Sequence, residues 1–382
     1  MIPIIKPSLG NEELNNVIEA VRSGWISSKG KFVREFETNF AKYHGMRSGV
    51  ATSNGTVALN LALNALDVKK DDEIIVPVLT FAATANAVIY CNARPVYVDS
   101  HPEYWCIDPE KIEEKITKNT RAIIPVHLYG HPCDMKWIMD IAEDYDLYVI
   151  EDAAEAHGAE YKGKKVGSFG DISCFSFYGN KIITTGEGGI CLTGDEELLE
   201  KMRILRDHGM NPNKRYWHDV VGFNYRMTNL QAAIGVAQLK KLDNFLKKKR
   251  QIAALYKEKL NDLVENNKIT PHPQMSWAKC SYWIYSILIE DAYGIETNRL
   301  IDNLEIEKID VRPFFYPLNT MPPYKNSEKF PIAEEISRKG ISLPSSIDLT
   351  KDDVFEVVEC IKNRDSYKNS NVGEMSKNSL LT

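Results

Sequence analysis

The segment "SFYGNKIITTGEGG", Ser176 to Gly189, sets one lysine, Lys181, between an aromatic run and a stretch of small residues. Most lysines stay in solvated positions because an unpaired ammonium is costly to bury. Lys181 lacks the alternating charged neighbours of an exposed helix, and the preceding "DISCFSFYG" reads as a buried strand leaving the core. A lysine at such a strand end loses hydration and becomes a candidate reactive amine.

Three other segments have the residue types to work with it. "ATSNGTVALNLALNAL" (51–66) places Ser53, Asn54, Gly55 and Thr56 ahead of an apolar helix. Free backbone N–H groups and the helix dipole there suit an anion, although an ordinary N-cap uses the same residues. "VIEDAAEAHG" ends an apolar run on Glu151, Asp152 and Glu155. A desolvated carboxylate needs a cation or a proton, and a structural ion pair is the plainer alternative. "VGFNYRMTNLQAAIG" (221–235) carries Asn224 and Arg226, natural partners of phosphate or carboxylate. Singly, each segment is unremarkable. Together they ask for one ligand with an anionic group, a ring nitrogen that needs a carboxylate, and a carbonyl that an amine can attack. Pyridoxal phosphate has those three handles.

These residues need a frame that gathers strand ends. From about residue 50 to 240, the segments 72–78, 94–99, 121–130 and 147–154 are rich in Val and Ile and bounded by turn residues. Helix-like stretches separate them, such as "TFAATANAVIYC" and "MKWIMDIAEDYD". This alternation predicts an α/β fold with a mixed, mostly parallel sheet covered on both faces, whose ligands collect at the carboxyl ends of the strands. The helical period of 229–264 predicts a long helix joining a large domain (1–240) to a smaller α+β C-terminal domain (241–364). In the latter, 281–290 and 309–315 read as strands. The polar stretch 365–382 reads as a disordered tail.

Composition bounds the function. The chain has 382 residues, 43% hydrophobic and 26% charged, with a formal net charge of -6. A large core is expected, and neither a nucleic acid nor an anionic membrane as the main partner. The basic run "KKLDNFLKKKR" (240–250) is broken at helical spacing and reads as a solvated helix face. Seven scattered cysteines, none in a Cys-x-x-Cys pair, indicate neither a disulfide framework nor a zinc site, and no metal is expected. With no leader-like segment and no apolar run long enough to span a bilayer, a cytoplasmic protein is expected.

"SNGTVALNLAL", "IEDAAEAHGAEYKGKKVGSFGDISCFSFYGNKIITTGEGG" and "RYWHDVVGFNYRMTNLQAAIGVAQL" resemble the DegT/DnrJ/EryC1/StrS family of pyridoxal-phosphate-dependent sugar aminotransferases, which have fold type I. The resemblance runs to about residue 364. It implies that Lys181 carries the cofactor as a Schiff base, Asp152 partners the pyridinium, and Glu155 meets the ring hydroxyl, where many relatives have glutamine. It further implies that Gly55, Thr56 and Ser176 hold the phosphate, Phe81 stacks on the ring, and Asn224 reaches the phosphate from a neighbouring subunit. Arg226 becomes a candidate for the donor carboxylate. The implied assembly is a homodimer with shared sites, or a tetramer built from it. The implied reaction moves the amino group of glutamate to C4 of a nucleotide-linked 4-keto-6-deoxy sugar. The similarity of "GNKIITTGEGG", "RYWHD", "NYRMTN" and "RPFFYPLNTMPPY" to a branch of that family implies GDP-4-keto-6-deoxymannose as acceptor and GDP-perosamine, an O-antigen precursor, as product. The "GWISSKG" loop with Trp25 and Lys29, the pair Tyr282 and Trp283, and Arg312 and Tyr316 are candidate sugar or nucleotide contacts, ordinary packing being the alternative. Where relatives have histidine, this chain has Tyr316.

Other readings are weaker. "GAEYKGKK" (158–165) has P-loop spacing without the following Ser or Thr, and a hairpin turn explains it better. His127 and His131 in "HLYGH" fall in a loop, and His157 has no assigned role. A UDP- or dTDP-linked acceptor, a 3-dehydratase and a non-catalytic sensor of the same fold are the alternatives. The dehydratase replaces the lysine by histidine, and sensors usually carry a fused DNA-binding domain.

Overall fold

A computed structural model describes residues 1–363. The expected tail, 365–382, lies outside the described residues. Seven strands form the main sheet: β1 (Ser48–Thr52), β2 (Glu73–Pro77), β3 (Arg94–Val98), β4 (Thr120–Ile123), β5 (Tyr148–Asp152), β8 (Ile172–Ser176) and β9 (Gly189–Thr193). Between β5 and β8, β6 (Glu160–Tyr161) and β7 (Lys164–Lys165) form the hairpin expected at the P-loop-like spacing. The order in the main sheet is β1-β9-β8-β5-β4-β2-β3. Only β9 runs against the others, so the carboxyl ends of β1, β2, β4, β5 and β8 share one edge.

β2, β8 and β9 are buried along their whole length, as strands covered on both faces must be. The helix Gly55–Ala65 is apolar almost all round and packs against β8 and β9. β4 is shorter than the apolar run 121–130 suggests. Pro125 has no N–H to continue the ladder, and the chain turns at Tyr129 (φ 51°) toward the strand edge.

The long helix spans Asn229–Lys259 and starts with a capping box, Thr228 Oγ accepting from the Gln231 N–H and Gln231 Oε1 from the Thr228 N–H. It ends earlier than its sequence period does, at buried Leu260, and Asn261–Glu265 begins a new turn. Its first half packs in the core of the main sheet and its second half, from Ile252, in a separate apolar cluster with Ile2, Tyr293 and Ile361. That second cluster lies on an antiparallel sheet ordered β10-β12-β14-β13: β10 (Ile269–Thr270), β12 (Tyr285–Ile289), β13 (Arg312–Pro313) and β14 (Gly340–Leu343). β11 (Ala278–Lys279) instead joins the β6–β7 hairpin. The expected strand 309–315 shrinks to two paired residues, the second of which, Pro313, cannot donate.

The basic run 240–250 departs from a solvated face. Lys241 pairs with buried Glu13 at 2.7 Å, and Lys249 is itself buried, its ammonium donating to the carbonyls of Trp283 (2.8 Å) and Ser345.

Candidate active site

Asp152 is the last residue of β5 and is buried. Its Oδ2 accepts from the Thr84 hydroxyl at 2.8 Å and its Oδ1 from the Ala154 N–H at 3.2 Å. It has no ion-pair partner among the described residues. Burial pushes its pKa up, and the Thr84 and Ala154 bonds and Lys181 only partly oppose this.

Glu155 sits one turn further on, also buried. Its Oε2 accepts from the Tyr129 N–H at 2.8 Å, which the left-handed backbone of Tyr129 aims inward. Burial raises its carboxyl to about 7, with the charge of Lys181 pulling the other way. Lys181 Nζ stands 3.7 Å from Glu155 Oε1 and 3.6 Å from the centroid of the Trp283 ring. Burial pushes this amine below the usual lysine value, while Glu155 and Asp152 pull it back.

Glu151, the third carboxylate of the segment, is occupied structurally. It accepts from the N–H groups of Gly167, Phe169 and Gly170 and meets His127 Nε2 at 3.2 Å. His127 and His131 are both buried in the loop after β4. His157 is packed among Phe40, Phe175 and Phe177, where burial and then Lys181 push it down to about 3, so it is neutral.

At the end of β1, Asn54 caps the helix Gly55–Ala65 by accepting from the Val57 N–H at 3.0 Å, so the N-cap reading holds for this residue. Ser53 donates its N–H to the Tyr225 carbonyl at 2.8 Å. A Cβ on Gly55 would lie 2.8 Å from the Cβ of Ser176, the last residue of β8. The helix start, with Thr56 in its first turn, is therefore pressed against the strand end that leads to Lys181. Phe81, beyond β2, is 59% exposed and its ring lies 5.7 Å from that of Phe315.

The DegT/DnrJ/EryC1/StrS aminotransferase family matches residues 7–362. The chain belongs to that family. GDP-perosamine synthase of Escherichia coli O157:H7 is 47% identical over 361 residues, 94% of this chain and 97% of that one. A putative pyridoxal phosphate-dependent aminotransferase of Bacillus subtilis is 35% identical, with 93% of each chain covered. An aminotransferase structure from Psychrobacter cryohalolentis superposes with a TM-score of 0.89 at 31% identity, over 95% of this chain and 98% of that chain.

Several residues expected to contact substrate in this aminotransferase have other partners here. Arg226 donates to Asp207 (2.6 Å), to Asn224 Oδ1 (3.0 Å) and against His208 Nε2 (3.1 Å), so both it and Asn224 are engaged within the chain. Arg312 forms an ion pair with Asp310. Tyr282 has φ 51° and bonds to Gln274 Oε1, which turns it towards His272 while Trp283 turns to Lys181. Trp25 is 57% exposed and Lys29 is exposed; Asn229 Nδ2 donates to the Trp25 carbonyl at 2.6 Å and ties that loop to the long helix. Tyr316, 63% exposed, lines a cavity of about 400 Å³ with Pro313, Thr320, Glu334 and Arg338. Sequence reasoning missed Thr84 and Tyr129. A threonine in the helix-like stretch after β2 was the only available signal for the first.

Proposed function

We propose that the protein is a pyridoxal 5'-phosphate-dependent aminotransferase that moves the amino group of glutamate to C4 of GDP-4-keto-6-deoxy-D-mannose, giving GDP-perosamine. The observation that supports this most is one edge of the sheet holding a desolvated amine, Lys181, beside two buried carboxylates, in a chain 47% identical to a GDP-perosamine synthase.

The residues present fit the cofactor. Gly55 leaves a side-chain-free helix start against Ser176, a cradle that any Cβ would fill, and the backbone N–H groups of Gly55 and Thr56 with the Ser176 hydroxyl suit a phosphate. Asp152 is a buried carboxylate with no ion-pair partner among the described residues, an environment that gains from a protonated ring nitrogen. Glu155 suits the ring hydroxyl, and Phe81 offers an exposed aromatic face. When bound, pyridoxal phosphate supplies a carbonyl for the amine and an electron sink for the carbanion formed next to it. Lys181, freed from the cofactor, takes up and returns the proton moved in each half of the exchange, and Glu155 beside it steadies its ammonium form.

The working form is a homodimer in the cytoplasm, with Asn224 serving the partner's phosphate. Exposed Trp25, Tyr216, Trp217 and Val221 supply apolar surface for such an interface, and the seven free cysteines suit a reducing compartment. Glutamate-dependent turnover compared across GDP-, UDP- and dTDP-linked 4-keto-6-deoxy sugars tests the function. The highest kcat/KM should belong to the GDP sugar; equal or higher values with a UDP or dTDP sugar would overturn the choice of acceptor.

A further inference from the structure

Trp283 is almost fully buried just before β12, far from Lys181 in sequence. Its indole N–H donates to the carbonyl of Asn180 at 2.7 Å, the peptide immediately before Lys181. Its ring centroid lies 3.6 Å from Lys181 Nζ. Its own carbonyl accepts from Lys249 at 2.8 Å, which fixes the backbone from behind. The indole also stacks on Tyr129, centroids 6.2 Å apart and planes at 17°, and Tyr129 is the residue whose N–H holds Glu155. One side chain thus grips the peptide before the lysine, covers its amine and rests on the ring of the residue whose backbone N–H holds the facing carboxylate.

An aromatic face attracts an ammonium and is nearly indifferent to a neutral amine, and the attraction strengthens when water is excluded. We propose that Trp283 is a positioning residue for Lys181: its ring is the place where the side chain rests as an ammonium, beside Glu155, whenever the amine is not joined to the cofactor. The inference rests on the proposed amino transfer, in which Lys181 must hold a proton between steps. The other titratable groups around the amine are Asp152 at the end of β5, Glu155 and His157 just after it, Tyr129 from the loop after β4, and Lys6 and Lys249 along the same narrow cavity. Trp283 favours the ammonium through its π face, and it does so without competing for the proton.

The contact is testable in the cofactor-free protein by competitive acetylation with acetic anhydride, following the Lys181 peptide by mass spectrometry across pH. Trp283→Leu should move the midpoint of Lys181 labelling to lower pH, and Trp283→Phe should restore most of it. Global replacement of the six tryptophans by mono-, di- and trifluorotryptophan keeps the shape and drains the ring's electron density. It should lower the midpoint step by step even if Trp283→Leu fails to fold. In the loaded enzyme, the glutamate half-reaction of Trp283→Leu should slow by about fivefold with glutamate affinity unchanged. A labelling midpoint that stays at its wild-type pH through the fluorinated series, or that moves equally in the Phe and Leu variants, would overturn the role of the ring. Absence of any glutamate half-reaction in the wild type would instead overturn the functional reading, and the labelling curve would still judge the contact.

Discussion

Replacing Glu155 by glutamine isolates the electrostatic cost built into the site. The glutamine keeps an oxygen for the Tyr129 N–H and removes the titratable group. Burial lifts the Glu155 carboxyl from 4.5 to about 7 in the folded cofactor-free protein. Between those values the folded chain keeps a proton that the unfolded chain has released, so the contribution to stability is complete below pH 4.5 and is lost as pH rises through 7. A difference of about 2.5 between the two pKa values corresponds to about 3 kcal/mol, an upper figure because the site relaxes when the carboxylate ionises. Urea unfolding of cofactor-free wild type and Glu155→Gln at pH 5, 6, 7 and 8 measures it. The variant should gain on the wild type mainly between pH 5 and pH 7 and level off by pH 8, by up to about 2.5 kcal/mol in all. A gap that is constant with pH, or one that closes in the opposite direction, would refute the burial argument for Glu155.

Asp152→Asn should leave the fold intact and remove most activity, because a neutral amide cannot keep the ring nitrogen protonated; Thr84→Val, which deletes the 2.8 Å bond to Asp152, should lower activity less while acting on the same group. Steady-state kinetics with circular dichroism separates both from unfolding, and near wild-type rates in Asp152→Asn would shift the role elsewhere. Equal mixtures of Lys181→Ala and Asn224→Asp subunits, co-expressed so that they pair at random, should recover about a quarter of wild-type activity, since half the dimers are mixed and each holds one intact site. No gain over either parent, with mixed dimers confirmed by mass, would show that the two residues do not serve one cofactor from different chains.

The parts legible in the sequence are those set by local pattern. Apolar runs ending in Asp152 and Ser176 announced strands, small residues at 53–56 announced a helix start, and the parallel sheet brings those ends together. What stayed hidden depends on backbone turns and distant partners. Tyr129 and Tyr282 adopt left-handed φ values that send neighbouring groups in unexpected directions, so Tyr129 reaches Glu155 and Trp283 turns to the lysine. Lys249 looked solvated within its basic run because its carbonyl partners come from residues 283 and 345. Arg312, expected among the sugar or nucleotide contacts, pairs with Asp310 two residues away.

The central claim is that Lys181 is the amine that holds the cofactor. Borohydride reduction of the protein purified with pyridoxal phosphate, followed by peptide mass mapping, tests it directly, with Lys181→Ala as the control. The account predicts the phosphopyridoxyl mass on the peptide containing Lys181, and loss of both the visible band and glutamate-dependent turnover in the variant. Lys249 is the rival to watch, because it is buried, burial pushes its amine down to about 7, and it lines the same narrow cavity. Cofactor mass on Lys249 or any other lysine, or a Lys181→Ala protein that keeps its band and turnover, would contradict the account.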